Sequence, residues 1–352
     1  MNRFPSLEVA GVWFAGRWFA GAWFDRAWFD LAWFARAQHA FARRTPAGFT
    51  LLATLLFATN LVAAVGCGPA AGQAPARAPG AKPRVFAPNP ALASIIVELA
   101  GDAVELLTPW EGAPDPAYWR PSKEAIRAIQ SCDLIVLNGA AYEPWAAQAA
   151  LPRARTVHTT SGVRARLIKV EGETHSHGPE GEHTHSTTAS TTWLSPEIAL
   201  AQTDAIAARL SQLLPQRAPQ ITERRAELKA VFGRIALRLD ELQSLEPKWL
   251  ASHPVYQYLG QSAGIELESV HWEPGEMPSE EEWSKFRAVR AALPLPTAWM
   301  LWEDEPGPEI RAQLEKEGVR VAVVPLFPSG NGAFAASYES VLARICEELQ
   351  SR

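Results

Sequence analysis

From residue 84 onward, short continuous apolar runs alternate with longer stretches whose apolar residues recur every three or four positions. The first pattern suits strands buried on both faces and the second suits amphipathic helices. Arg84–Ala87, Val104–Thr108, Leu134–Leu137 and Thr156-Val157 read as strands, with further strand over Val163–Val170. Ala91–Ala100 and Ser122–Gln130 read as helices; Gly101 stops the first and Ser122 caps the second. Pro196–Leu214 and Ile221–Leu242 are long helical patterns parted by Pro215 and Pro219. In the second, Leu228, Val231, Phe232, Ile235, Leu239 and Leu242 fall at helical spacing. Strands return at Trp249–Ala251, Ile265–Leu267, Ala298–Trp302 and Val319–Val324. Helices at Val255–Ser262, Trp283–Ala292, Glu309–Glu317 and Tyr338–Gln350 separate and follow them. The alternation predicts an α/β protein of two lobes, each a mostly parallel sheet flanked by helices, joined by one long backbone helix. The N-terminal lobe spans 84–217, the linking helix 218–245 and the C-terminal lobe 246–352. A cleft between such lobes suits a ligand.

Upstream of residue 84 the pattern changes. Residues 1–42 are of low complexity, and 11–34 repeat a five-residue unit in which Trp13, Trp18, Trp23, Trp28 and Trp33 each precede a Phe. A step of five marks no single face of a helix or a strand. The segment reads either as a translated repeat upstream of the true start codon or as a membrane-surface stretch, since Trp and Phe favour interfaces. Residues 43–66 carry Arg43-Arg44, the apolar run Phe49–Val65 and small residues before Cys67. Basic, apolar and small regions in that order describe an export signal. The ending resembles a bacterial lipobox, which makes Cys67 the lipidated first residue of the mature chain. The alternative is a permanent spanning helix, which needs about 20 apolar residues, and Asn60 interrupts the run. Residues 67–83 are rich in Ala, Pro and Gly and form a tether. The expected location is periplasmic or at the cell surface, anchored to a membrane.

Composition narrows the function. A formal net charge of −5, with no basic patch interleaved with aromatics from residue 84 onward, gives no reason to expect nucleic-acid binding. Walker A and HExxH are missing, so no enzyme is expected. Cys132 and Cys346 lie far apart in sequence and read as two buried thiols or as a disulfide. Four of the eight histidines, His175, His177, His183 and His185, fall in a loop over 171–187, interleaved with Glu171, Glu173, Glu180 and Glu182. That composition predicts metal capture, or else a solvated loop with no specific ion.

Several landmarks together resemble one family. Gly112–Pro116 resembles a G-x-D-P-H loop and Cys132–Gly139 an A-D-L-V-x-x-N-G strand. Glu143-Pro144-Trp145 is similar to L-E-x-W, and Trp193–Pro196 to W-L-D-P. Ala251-Ser252-His253, with Tyr258 beyond it, is similar to S-H-x-A-F-x-Y, and Glu273-Pro274 and Met300–Glu303 also have counterparts. In order and spacing, from about Arg84 to Leu349, these resemble the TroA-like metal-binding solute-binding proteins of zinc and manganese ABC transporters. The resemblance implies a monomeric binding protein that captures zinc, or manganese, and passes it to an ABC permease and its ATPase.

It also implies a cleft metal held by three histidines and a carboxylate, two ligands from each lobe. Here His253 keeps one ligand position, while Ala117, Thr191 and Val324 occupy the other three. Replacement donors on the C-terminal lobe are Glu303 and His271, with Glu276, Asp304 and Glu305 nearby. Imidazole and carboxylate suit zinc or manganese. Two readings follow: a rebuilt cleft site on His253, Glu303 and His271, or a diverged member without a cleft metal. The second would buffer zinc through its histidine loop or act as a surface interaction protein.

Overall fold

The computed structural model describes residues 80–113, 116–176, 182–245, 248–273, 275–293, 298–327 and 333–350. All lie in one compact unit, Ala71–Arg352. The Trp-Phe repeat, the export segment, Cys67, most of the tether and His177 fall outside the described residues.

The N-terminal lobe is a four-stranded sheet of β1 (Arg84–Phe86), β2 (Glu105–Leu107), β3 (Leu134–Leu137) and β4 (Thr156–His158). Its order is β2-β1-β3-β4, parallel throughout. Helices α1 (Pro90–Ala100), α2 (Lys123–Gln130) and α3 (Pro196–Leu213) accompany it. Ser122 caps α2, its Oγ accepting the Ala125 N–H at 3.2 Å. The long helix α4 (Ala218–Leu245) follows; its 28 residues reach about 42 Å at 1.5 Å per residue. Pro219 does not break it. It sits in the first turn, where a backbone N–H has no helical partner to lose.

The C-terminal lobe repeats the plan with β7 (Lys248–Ala251), β8 (Glu266–Ser269), β9 (Ala298–Trp302) and β10 (Val319–Val323), in the parallel order β10-β9-β7-β8. Its helices are α5 (Gln257–Ala263), α6 (Glu280–Ala291), α7 (Pro308–Lys316) and α8 (Phe334–Gln350).

Period-two alternation divides each sheet between two cores. Leu134 and Val136 enter a central cluster while Ile135 and Leu137 face an outer one with Phe86, Trp110, Ile129 and Cys132. In β9, Trp299 and Leu301 point to the central cluster, and Ala298, Met300 and Trp302 to an outer one with Trp272, Trp283 and Phe286. The central cluster takes residues from both lobes and from Ile221, Leu228, Phe232, Ile235, Leu239 and Leu242 of α4. Cys132 and Cys346 are buried in different clusters and are not bridged.

Two expectations need correction. Ser161–Arg166 forms 3-10 turns rather than strand. Val163, Leu167 and Ile168 pack on the central cluster, and strand begins only at Lys169. The histidine segment, expected as a loop, forms a separate antiparallel ribbon of β5 (Lys169–Ser176) and β6 (Glu182–Thr188). Thr at 174, 184, 187 and 188 supplies β-branched residues that favour strands. No helix among the described residues is long and apolar enough to cross a membrane.

Candidate metal centre

In a parallel sheet all strands end on one edge, and chemistry-bearing residues collect there. In the C-terminal lobe β7 runs into Ser252 and His253, β8 into His271 and Glu273, and β9 into Glu303. Since β7 lies between β9 and β8, His253 comes between the other two ends. The ladder holds them in register: Ser252 N–H donates to Leu301 O at 2.8 Å, and Trp272 N–H to Ser252 O at 3.0 Å. As a result His253 Nε2 lies 3.3 Å from Glu273 Oε1, and Nδ1 lies 3.7 Å from Glu303 Oε1. The His271 ring stands edge-on to His253 with centroids 6.1 Å apart. The side chains of His253 and Glu303 keep 21% and 32% of their surface exposed, so an ion from solvent can reach them.

The other acidic candidates are engaged locally. Glu305 receives Arg311 Nε at 2.6 Å, and Asp304 Oδ1 accepts the Glu305 N–H at 2.8 Å. Glu276 is exposed on the loop after Glu273. Tyr256 lies beneath the site and donates to Val324 O at 2.8 Å. Burial first, and the Glu303 charge second, hold its hydroxyl protonated far above the usual phenol range.

At the two ligand positions that the family resemblance places on the N-terminal lobe stand Ala117 and Thr191 rather than histidines. Ala117 lies in the 3-10 turn Pro116–Tyr118 and packs on the central cluster. Thr191, 6% exposed, donates its hydroxyl to Val255 O at 2.5 Å, across the lobes. Val324 is fully buried. Among the described residues no three or more His, Cys, Asp or Glu side chains are grouped so as to hold a metal ion.

Behind the N-terminal face lies a buried polar network. The Asn138 side chain donates to Ser190 O and accepts from Thr192 and Gln202. Glu143 accepts the N–H groups of Asn138 at 2.6 Å and Gly139 at 3.0 Å. The chain can wrap the carboxylate because Gly139, Ala140 and Ala141 all take positive φ. Burial pushes Glu143 up to about 8, against the backbone N–H groups of Asn138, Gly139 and Glu143 that favour its charge.

In the ribbon, His175 pairs with His183 in the antiparallel register, and His185 lies further along β6. Sequence reasoning placed His253, Glu303 and His271 at the site but missed the contact of Glu273 with His253. It also missed the Thr191 bond. The signal for Glu273 was its position four residues beyond the last residue of β8.

Comparisons with known proteins agree with this architecture. The sequence model of ZnuA, zinc-uptake complex component A periplasmic, matches residues 85–351. Among curated proteins none matches the chain. The metal-dependent lipoprotein YcdH from Bacillus subtilis superposes with a TM-score of 0.61 at 18% identity, over 76% of this chain and 98% of that one. The Zn(II)-bound ZnuA-like domain of AdcA from Streptococcus pneumoniae gives 0.61 at 17% identity, over 77% and 98%. The solute-binding protein FpvC from Pseudomonas aeruginosa, in complex with Mn2+, gives 0.58 at 21%, over 77% and 99%. These likenesses concern the fold; the sequence match, covering most of the chain, places it in a family. The chain belongs to the family of the periplasmic zinc-uptake complex component A.

Proposed function

We propose that this protein is the extracytoplasmic solute-binding component of a metal ABC importer, with zinc as cargo ahead of manganese. It is exported by segment 43–66, tethered through a lipid on Cys67, and delivers its ion to a permease and ATPase. The observation that carries this reading is the position of His253 between Glu273 and Glu303 at three adjacent strand ends. A neutral imidazole has one N–H. In a carboxylate–histidine–metal arrangement one ring nitrogen donates this N–H to a carboxylate and the other binds the ion, which a second carboxylate can also bind. His271 is near enough to join, and the excess of negative charge favours a divalent cation over an anion. Uptake and release need only ligand exchange at one lobe.

Ala117, Thr191 and Val324 favour a second reading, in which the cleft has lost its metal and the ribbon histidines His175, His177, His183 and His185 buffer zinc. Calorimetric zinc titration separates the two, using the wild type, His253→Ala and a deletion of 173–185. One-to-one binding that survives the deletion and fails in His253→Ala supports the importer reading. Binding that disappears with the ribbon and ignores His253→Ala establishes the buffer.

A further inference from the structure

Thr191 stands where the family resemblance places an imidazole donor on the N-terminal lobe, and its hydroxyl is committed to the opposite lobe. It donates to Val255 O at 2.5 Å, and the Val255 N–H in turn donates to His253 O at 2.9 Å. The bond therefore grips the three-residue turn that begins at the proposed ligand. Other bonds join the same two surfaces. Tyr258 donates to Ala189 O at 3.0 Å and accepts the Ile168 N–H at 3.2 Å. Trp193 Nε1–H donates to Leu326 O at 2.9 Å, and the Tyr338 hydroxyl to Leu194 O at 3.1 Å. These four anchors fall outside residues 253–255, whereas the Thr191 bond lands within them.

We infer that Thr191 is a positioning residue that clamps the His253 turn from across the cleft, so that the lobes are joined there before any ion arrives. The hydroxyl of buried Thr191 and the carbonyl of half-buried Val255 make the link that a metal bridging both lobes would otherwise make. Metal occupancy and lobe closure are then separate events, and an ion bound at His253 belongs to one lobe. The inference rests on the reading of His253 as a ligand only where zinc affinity is concerned.

The test uses the full chain with Thr191→Val, which keeps the shape and removes the donor, and Thr191→Ser, which keeps the donor. Amide hydrogen exchange over residues 253–259 is followed without metal, and zinc affinity is measured alongside. Losing one buried hydrogen bond predicts about tenfold faster exchange at the turn in Thr191→Val, and zinc binding weakened by up to about tenfold. Thr191→Ser is expected to restore both. Cooperative melting of all three proteins guards against misfolding. Wild-type exchange and zinc affinity in Thr191→Val would overturn the inference. So would a wild type in which zinc slows exchange over both 189–194 and 253–256, since the ion would then bridge the lobes. If His253→Ala binds zinc as the wild type does, the importer reading fails, while the metal-free exchange rates still decide the clamp.

Discussion

His253 owes its surroundings to sheet order, because β8 and β9 flank the strand that carries it and each delivers a carboxylate at its end. Glu273→Gln and Glu303→Gln are each expected to weaken zinc binding about tenfold or more, the usual effect of removing a carboxylate next to a metal-bound imidazole. Calorimetry checks this, and unchanged affinity in both variants would remove the site. Glu143 makes a separate prediction. Its folded value of about 8 lies above the ordinary 4.5, so the folded state holds the proton more tightly. Stability from this group is fully present below about 4.5 and is lost as pH rises toward 8. Glu143→Gln removes that slope, so the melting temperature of the variant should gain on the wild type between pH 5 and pH 8.5. Parallel curves would contradict it. His253 and Glu303 were legible because each follows an apolar strand and matches a family motif. Glu273 and Thr191 were not, because their partners are set by the packing of strands and lobes far apart in sequence.

At the scale of elements, the helical spacing along α4 was readable because Ile221, Leu228, Phe232, Ile235, Leu239 and Leu242 face one continuous core, while Leu237 is exposed. Leu239 is fully buried there, so Leu239→Ala should cost about 2–5 kcal/mol in denaturant unfolding. Gly264 ends α5 at φ 62°, and Gly264→Ala should cost roughly 1 kcal/mol through backbone strain, with crowding against Gln243 in addition. The boundaries that misled were short ones. Val163–Val170 contains apolar residues that fit a strand or a helical turn over so brief a span; the chain takes 3-10 turns over Ser161–Arg166 and enters the strand only at Lys169. In 171–187 polar composition suggested a loop, while backbone pairing between its two arms makes a ribbon. Because this ribbon joins neither main sheet, deleting 173–185 should leave the unfolding midpoint unchanged.

The described residues form two parallel-sheet lobes sharing one core, to which α4 and its neighbours contribute. Ion pairs extend the linkage at the surface: Arg225 reaches Asp204 of α3 at 2.6 Å, and Arg234 reaches Glu339 of α8. A shared core predicts one cooperative unfolding transition rather than one per lobe, and calorimetry showing two separate transitions would contradict it. The proposal puts the ion at the strand ends of one lobe, since the two ligand positions expected on the facing lobe hold Ala117 and a committed Thr191. The most direct measurement is an anomalous-scattering map of zinc-loaded crystals. The account predicts a zinc peak about 2.0–2.2 Å from a His253 ring nitrogen and a carboxylate oxygen of Glu273 or Glu303, with no ligand from residues 84–217. Zinc found only on the ribbon histidines, or bridging both lobes, would contradict it.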